Sequence, residues 1–372
     1  MSATAGSPPR SPPGSPLGVA AIGAGMASAP HLRALTEIDD ATLRWVVTGD
    51  GKRAAAASVL APGARVSAAL GEALADPGVD VALILTPPNT HLEIISASAA
   101  AGKAVIVEKP LEVTVARARQ AVEVCAQAGV PLAVVHQHRF RAIVPALKTI
   151  LDEGRLGPLH AIEVRVPWWR AQAYYDEPGR GSYARDGGGV LITQAIHVLD
   201  LALYLCGPIA AVCARAMTSP GHDMEAEDLA VAVTEWQCGA IGTILASTAH
   251  RPGFNDTIQI SGRDGTALLE GEDLTLWEGQ GNGKKLGAQA AAPPAHPPPA
   301  HPMDFSHHDH RRFLAATLAA IGQGAAPPVS GLEACRVLEL IEAVTESARL
   351  KRWVEVRSES TPNGDKRWML SA

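Results

Sequence analysis

The segment Gly23-Ala24-Gly25-Met26-Ala27-Ser28 has the make-up of a phosphate-binding turn: it follows the apolar run LGVAAIG and opens a helical pattern that ends near Glu37. The first glycine of such a turn permits the tight bend and the second lets a pyrophosphate reach the backbone. The helix start adds N–H groups and partial positive charge. Gly23, Gly25, Met26 and Ala27 are therefore the expected contacts of a dinucleotide. The acidic residue that binds the adenosine ribose should end the next strand, about 20 residues further on. That strand closes in Thr48-Gly49-Asp50, with Thr48 in the expected place, Asp50 two residues beyond, and Lys52 and Arg53 following. A carboxylate at the strand end repels a 2′-phosphate, whereas Thr48 with Arg53 nearby accepts one. NAD and NADP both fit, and the balance leans to NADP.

Two further positions suit proton transfer. Lys109 lies just past the strand-like run Ala104 to Val107, where ligands of parallel sheets bind, and an ammonium there can polarise a substrate oxygen and pass a proton. Pro110 restricts the backbone of Lys109 to extended conformations, which aims its side chain. His197 lies in the apolar helical stretch Val190 to Cys206, where a single histidine is ordinarily a satisfied core residue. Thr193, His197 and Asp200 share one face at helical spacing, a face that could wall a site. Ahead of them, Trp168-Trp169-Arg170-Ala171-Gln172-Ala173-Tyr174-Tyr175, then Arg180-Gly181 and Asp186, form an aromatic-rich insert in a chain with only 4 % aromatic residues. Aromatic faces and guanidinium forks suit a polyol, sugar or carboxylate; the plain alternative is a loop packed on a sheet.

The run Thr86-Pro87-Pro88-Asn89-Thr90-His91, then Glu108-Lys109-Pro110, then Asp186-Gly187-Gly188-Gly189 with His197 and Asp200, closely resembles the Gfo/Idh/MocA oxidoreductases, typified by glucose-fructose oxidoreductase and inositol dehydrogenase. The resemblance covers roughly residues 17 to 354. It implies an NAD(P)-dependent dehydrogenase acting on a secondary alcohol of a sugar, polyol or related compound. Lys109 and His197 would handle the hydroxyl proton. Thr193 stands where the family commonly has aspartate or asparagine, and a neutral hydroxyl cannot support an imidazolium as a carboxylate does, so Gln194 or Asp200 is the substitute orienter, with a structural role the equal alternative for Asp200. Thr86, Pro87, Asn89, His91, Glu108, Lys109 and Gln137 are then expected at the cofactor, with Glu108 an orienter of lysine or cofactor. Arg170, Tyr175, Arg180, Gln194 and His197 are expected at the substrate, and the family's open sheet implies a homodimer or homotetramer.

These residues need an α/β scaffold: an N-terminal Rossmann-type doubly wound parallel sheet, then a C-terminal α/β domain with a large open, mostly antiparallel sheet. Strand-like runs at 43–48, 79–86, 104–107 and 131–136 alternate with helical ones at 51–60, 91–101 and 114–128, the rhythm of a parallel sheet with right-handed crossovers. Past residue 137 the segments HAIEVRVPWW, AAVCARAMT, EDLAVAVTEWQ, AIGTILAST, DTIQISG and GTALLEG follow one another with Gly or Asp turns, an antiparallel pattern. The expected divisions are a disordered Ser/Pro/Gly tail at 1–16, a dinucleotide domain at 17–136, a substrate and oligomerisation domain at 137–354 with a low-complexity loop at 281–302, and a tail at 355–372. Helices at 307–321 and 331–350 should pack back onto the two domains.

Composition excludes several classes. The 372 residues carry a formal net charge of −6, so a polyanionic partner, nucleic acid or anionic membrane, is not expected. No long run of strongly apolar residues suggests a membrane span. Five cysteines are scattered singly, which argues against a zinc site or a disulfide framework, and His296 and His301 lie in a proline-rich stretch ill suited to fixed ligands; no metal is expected. Arg10, the apolar stretch 17–27 and Ala27-Ser28-Ala29 imitate a secretory leader, but the glycine turn gives that stretch a better use, and a cytoplasmic enzyme is expected. The rivals are an NAD-dependent glycosidase working through transient oxidation and a non-catalytic dinucleotide-binding regulator.

Overall fold

Val81–Ile84 and Ala104–Val107 are four-residue runs in which every side chain is buried, as in parallel strands covered on both faces. The computed structural model of the protein describes residues 15–279, 281–286, 306–360 and 366–371, and these fall into two compact units. The first unit holds β1 (Leu17–Ile22), α1 (Ser28–Leu35), β2 (Ala41–Val47), α2 (Gly51–Leu60), β3 (Arg65–Ser67), α3 (Leu70–Ala75), β4 (Val81–Ile84), α4 (His91–Ala100), β5 (Ala104–Val107), most of α5 (Val115–Ala128) and β6 (Leu132–Val134). Its six strands are all parallel in the order β3-β2-β1-β4-β5-β6. The order reverses between β1 and β4, the switch point beyond whose carboxyl ends ligands of such sheets bind.

The second unit opens with α6 (Val144–Asp152), β7 (Leu159–Pro167) and the short turns α7 (Gln172–Tyr175) and α8 (Tyr183–Asp186). A wide π-turn at Leu191–Ala195 runs into α9 (Ile196–Cys206). Then come β8 (Ile209–Met217), β9 (Leu229–Trp236), β10 (Ile241–Ser247), β11 (Thr257–Gly262), β12 (Gly265–Glu270), β13 (Asp273–Glu278) and β14 (Lys284–Leu286). The chain closes with α10 (His308–Gly322), α11 (Gly331–Leu350), β15 (Val354–Ser360) and β16 (Lys366–Ser371). The ten strands of this sheet lie in the order β14-β13-β12-β11-β7-β10-β9-β8-β15-β16, antiparallel except where β10 runs parallel to β7. The fold is thus α/β, with a doubly wound parallel sheet and a large, mostly antiparallel one.

The sequence reading needs correction at several places. Residues 306–334, with α10, cluster with the first unit, because α10 packs against α1. The expected tail at 355–372 instead carries strand: β15 pairs with β8 and β16 with β15. Part of the expected loop, Lys284–Leu286, is an edge strand paired with β13. The remainder of that loop from 287, with His296 and His301, and the tail up to residue 14 lie outside the described residues. The stretch Tyr183–Cys206, 24 residues spanning α8, the π-turn and α9, is long and apolar enough to cross a membrane, yet 83 % of its most apolar window is buried inside the protein, as in a core helix.

Candidate active site

In the first unit the glycine turn leaves the end of β1, with Gly23 N–H donating to Val47 O at 2.9 Å. Gly23 has φ +105°, and a Cβ there would stand 2.8 Å from the Leu85 carbonyl carbon, so only glycine fits. Gly25 differs: a Cβ there would meet no atom within 4 Å, which leaves open space above the backbone. Ser28 Oγ donates to Gly25 O at 2.7 Å, and α1 starts with no side-chain cap on its N–H groups. This turn has the free volume and the uncapped donors that a pyrophosphate requires. Met26 is exposed beside it. At the end of β2, Asp50 caps α2, accepting from Lys52 N at 2.8 Å and Arg53 N at 3.2 Å, bonds that hold its carboxyl below the usual range. Arg53 Nε lies 3.6 Å from the same carboxylate, and Thr48 Oγ1 accepts from Asp50 N at 3.4 Å.

After β4, Thr90 Oγ1 donates to Pro87 O and bonds Thr86 Oγ1, both at 2.8 Å, which closes a tight turn with Pro87 and Asn89 exposed. His91 is wholly buried, with Nε2 2.9 Å from Thr86 O and Nδ1 3.1 Å from Pro110 O. It ties the loop after β4 to the loop after β5; it cannot touch a cofactor, which corrects the expectation. Burial lowers its pKa. The Glu108 carboxylate points into the unit and lies against the lysine it was expected to orient: Oε1 accepts from His31 Nε2 at 2.6 Å and Oε2 from Lys109 N at 2.9 Å. Burial pushes this carboxyl up, but the hydrogen bond and charge of His31, with Lys109 near, hold it at about 2. The His310 ring of α10 stands edge-on to His31 at 4.8 Å, and burial, with His31 beside it, drives its pKa down to about 3. Lys109 itself is half-buried at the end of β5, next to β4 in the sheet.

In the second unit Gly187 ends α8 in the left-handed region, φ +84°, and a Cβ on Gly189 would fall 1.8 Å from Glu227 O. Glu227, buried, accepts from Gly189 N at 3.2 Å and Leu191 N at 3.1 Å, which anchors the start of the π-turn; burial raises its pKa. Thr193 Oγ1 donates to Gly189 O at 2.5 Å and also bonds the Gln194 side chain. Gln194 Nε2 reaches Tyr174 OH at 3.4 Å, as does Arg180 Nη1 at 3.2 Å. His197 is buried one turn on, its ring stacked on His138 with centroids 4.8 Å apart. A cavity of about 420 Å³ lies elsewhere in this unit, lined by Gly187, Gly188, Ile192 and Glu227 among others, and none of the proton-transfer candidates opens into it.

Two candidates in this unit do something else. Asp200 takes a bidentate bond from Arg139, Nε and Nη2 both at 2.7 Å, which fits the structural role open to it. Tyr175, expected at the substrate, is buried with its hydroxyl 2.6 Å from Thr248 Oγ1, and burial raises its pKa. Gln137 is buried in a single helical turn, and its Oε1 has no hydrogen-bond partner among the described residues.

Residues 17–136 match the oxidoreductase family with an NAD-binding Rossmann fold, and residues 144–268 match the GFO/IDH/MocA C-terminal domain. The chain belongs to the Gfo/Idh/MocA oxidoreductases. This family member is 28 % identical over 347 residues to D-apiose dehydrogenase of Paraburkholderia graminis, spanning 91 % of this chain and 89 % of that one. It is 26 % identical to inositol 2-dehydrogenase of Rhizobium meliloti, spanning 90 % and 98 %. It also superposes on the WlbA dehydrogenase of Bordetella pertussis, solved with NADH and UDP-GlcNAcA, with a TM-score of 0.79, 28 % identity and 91 % and 98 % coverage. As a Gfo/Idh/MocA oxidoreductase it has an NAD-binding domain, and the cradle at Gly23 and Gly25 fits that group. Sequence reasoning missed His31, His310, His138 and Glu227. Only His31 left a signal, a lone histidine in the helix that the glycine turn opens.

Proposed function

We propose that this oxidoreductase transfers hydride between NAD(H) and a secondary alcohol of a sugar or polyol. What supports the reading most is the arrangement along one sheet edge: a glycine cradle open above Gly25, the Thr86–Asn89 turn, and Lys109 beyond β5. Bound NAD supplies the hydride acceptor at nicotinamide C4. The residues do the rest. Lys109 donates a hydrogen bond to the reacting oxygen and takes part in moving its proton, while Glu108, fixed by His31, holds the Lys109 backbone N–H. His197 bonds the reacting hydroxyl, braced by its stack on His138, and Thr193 and Gln194 shape the wall beside it.

The leaning to NADP rested on Thr48 at the strand end with Lys52 and Arg53 nearby. Because the Arg53 guanidinium lies against Asp50, and because the matching domain is NAD-binding, NAD(H) is the proposed dinucleotide. The open face of the second sheet, with Val231, Val233 and Ile241 exposed, is proposed to pair copies into a homodimer or homotetramer. The buried free thiols Cys125, Cys206 and Cys335 suit a reducing cytoplasm. A second reading, a dinucleotide-binding regulator, draws support from one observation: Thr193 presents a hydroxyl already spent on Gly189 O where a carboxylate would serve catalysis.

Nicotinamide fluorescence of the full chain titrated with NADH and NADPH tests the cofactor: tighter binding of NADH is expected, and tighter binding of NADPH restores the first leaning. Lys109→Met is expected to lower turnover about 10² to 10⁴ while NADH affinity stays within a few-fold, the scale of a lost acid–base group. Unchanged turnover removes Lys109 from the chemistry.

A further inference from the structure

Most arginines around the aromatic insert and π-turn already have an acid. Arg180 holds Glu177 at 2.5 Å, Arg185 holds the same glutamate at 2.9 Å, Arg139 holds Asp200 and Arg141 holds Asp256. Arg170 does not: among the described residues no carboxylate lies within 4.0 Å of it, and Nη1 donates only to the carbonyl of its neighbour Trp169, at 2.9 Å. Its backbone is nonetheless firmly held. Its backbone N–H donates to Thr248 O at 2.8 Å, and its carbonyl lies 2.9 Å from His222 Nε2. His222 is held in turn by Asp228 at 2.7 Å, which also takes Ser219 Oγ at 2.6 Å. The guanidinium carbon lies 5.5 Å from the Trp168 ring centre and 5.9 Å from that of Tyr174. Tyr174 is the residue whose hydroxyl meets Gln194, next to Thr193 on the π-turn. Burial lowers the pKa of Arg170 with only Tyr174 and Tyr175 opposing, so the charge sits partly desolvated without a counter-ion.

A desolvated, unneutralised cation is costly to hold, and a rigid scaffold built to hold it is explained by an anion that arrives with the ligand. We propose that Arg170 is the anchor for a carboxylate on the substrate, which makes the substrate a hydroxy acid of the sugar or polyol series, an aldonic or uronic acid rather than a neutral sugar. With Nη1 donating to Trp169 O, the guanidinium keeps further N–H donors in its planar fork, which matches the two oxygens of a carboxylate. A phosphate offers the same oxygens with nearly twice the charge, but the nearby second cation, Arg180, is already neutralised by Glu177, so a single negative charge fits better. The inference deepens the dehydrogenase reading and rests on it only for the alcohol that reacts.

The test is a binding measurement that needs no turnover: calorimetric titration of the NADH-loaded full chain with D-gluconate against D-glucitol, D-glucuronate against methyl D-glucopyranoside, and D-glucose 6-phosphate. The acids are expected to bind at least about tenfold tighter than their neutral partners. In Arg170→Gln the acid-to-neutral affinity ratio is expected to fall about 10- to 100-fold, the scale of a lost charge-assisted pair. Arg170→Lys should restore part of the ratio, since it keeps the charge and loses the fork, and it serves if the glutamine variant does not fold. Acids that bind no better than neutral partners, no acid binding at millimolar concentration, or a ratio unmoved in both variants overturns the proposal. Tighter binding of glucose 6-phosphate than of gluconate reassigns the anchor to a phosphate and also overturns it. If the acids bind as expected but NAD is never reduced, it is the dehydrogenase reading that fails.

Discussion

At the scale of single residues, the two glycines of the cofactor turn do different work, and substitution separates them. Gly23 is required by the fold: alanine there adopts a strained φ and meets the Leu85 carbonyl, so Gly23→Ala is expected to cost about 1–3 kcal/mol in stability, read by denaturant unfolding. Gly25 is required by the ligand alone. Gly25→Val should leave the unfolding midpoint nearly unchanged and weaken NADH at least about tenfold, or 1.4 kcal/mol, because its branches fill the space kept for phosphate. The buried trio His31, Glu108 and His310 adds a pH effect. Above pH 6.5 the neutral His310 ring is at no disadvantage; below it the unfolded chain takes up a proton that the folded chain refuses until about pH 3. Glu108 acts in the same direction, its contribution present above pH 4.5 and lost as pH falls toward 2. Thermal unfolding from pH 7 to 4 should therefore show a steady fall in Tm, and His310→Leu a shallower one; parallel curves would remove His310 from the account. The glycine turn was legible in the sequence because local spacing marks it, whereas Lys109 and His197 stood out chiefly through the family resemblance. His91 and Tyr175 were misread because the partners that turn them inward, Pro110 for one and Thr248 for the other, lie 19 or more residues away, and one-dimensional spacing carries no sign of whether a polar side chain turns inward.

Among the elements, the π-turn at Leu191–Ala195 is the one the sequence concealed. Its residues read as a plain continuation of α9, but the wider turn changes the register between Thr193 and His197 on which a single helical face was inferred. Glu227, from the segment before β9, holds that turn by two backbone N–H groups. Glu227→Ala leaves both buried donors without an acceptor and is expected to cost about 1–3 kcal/mol, whereas Glu227→Gln, which keeps one acceptor oxygen, should cost less. Equal loss in the two variants would show that the turn does not depend on this carboxylate. Strands with strong alternation or continuous apolar runs, such as β4, β5, β9 and β10, were readable directly. β3, β14 and the β15–β16 hairpin were not: two have three residues, and the hairpin is polar and owes its form to pairing with β8.

For the whole molecule, alternation along β9 leaves Val231 and Val233 outward on a sheet face whose other side is core, and Ile241 at the start of β10 joins them. If this face pairs copies as proposed, the double variant Val231→Lys, Ile241→Lys is expected to shift the protein toward monomer in light scattering. A wild-type monomer would contradict the assignment of that face. The central claim is that the protein moves hydride from a hydroxylated sugar or polyol skeleton to NAD, and the most direct measurement follows NADH absorbance at neutral to mildly alkaline pH. The full chain and Lys109→Met are each incubated with NAD and a panel of neutral and acidic sugars and polyols. NADH formation with at least one member by the wild type, falling about 10²- to 10⁴-fold in the variant, is the predicted result. Tight NADH binding with no reduction of NAD by any member, in either direction of the reaction, would contradict it and leave a dinucleotide-binding regulator.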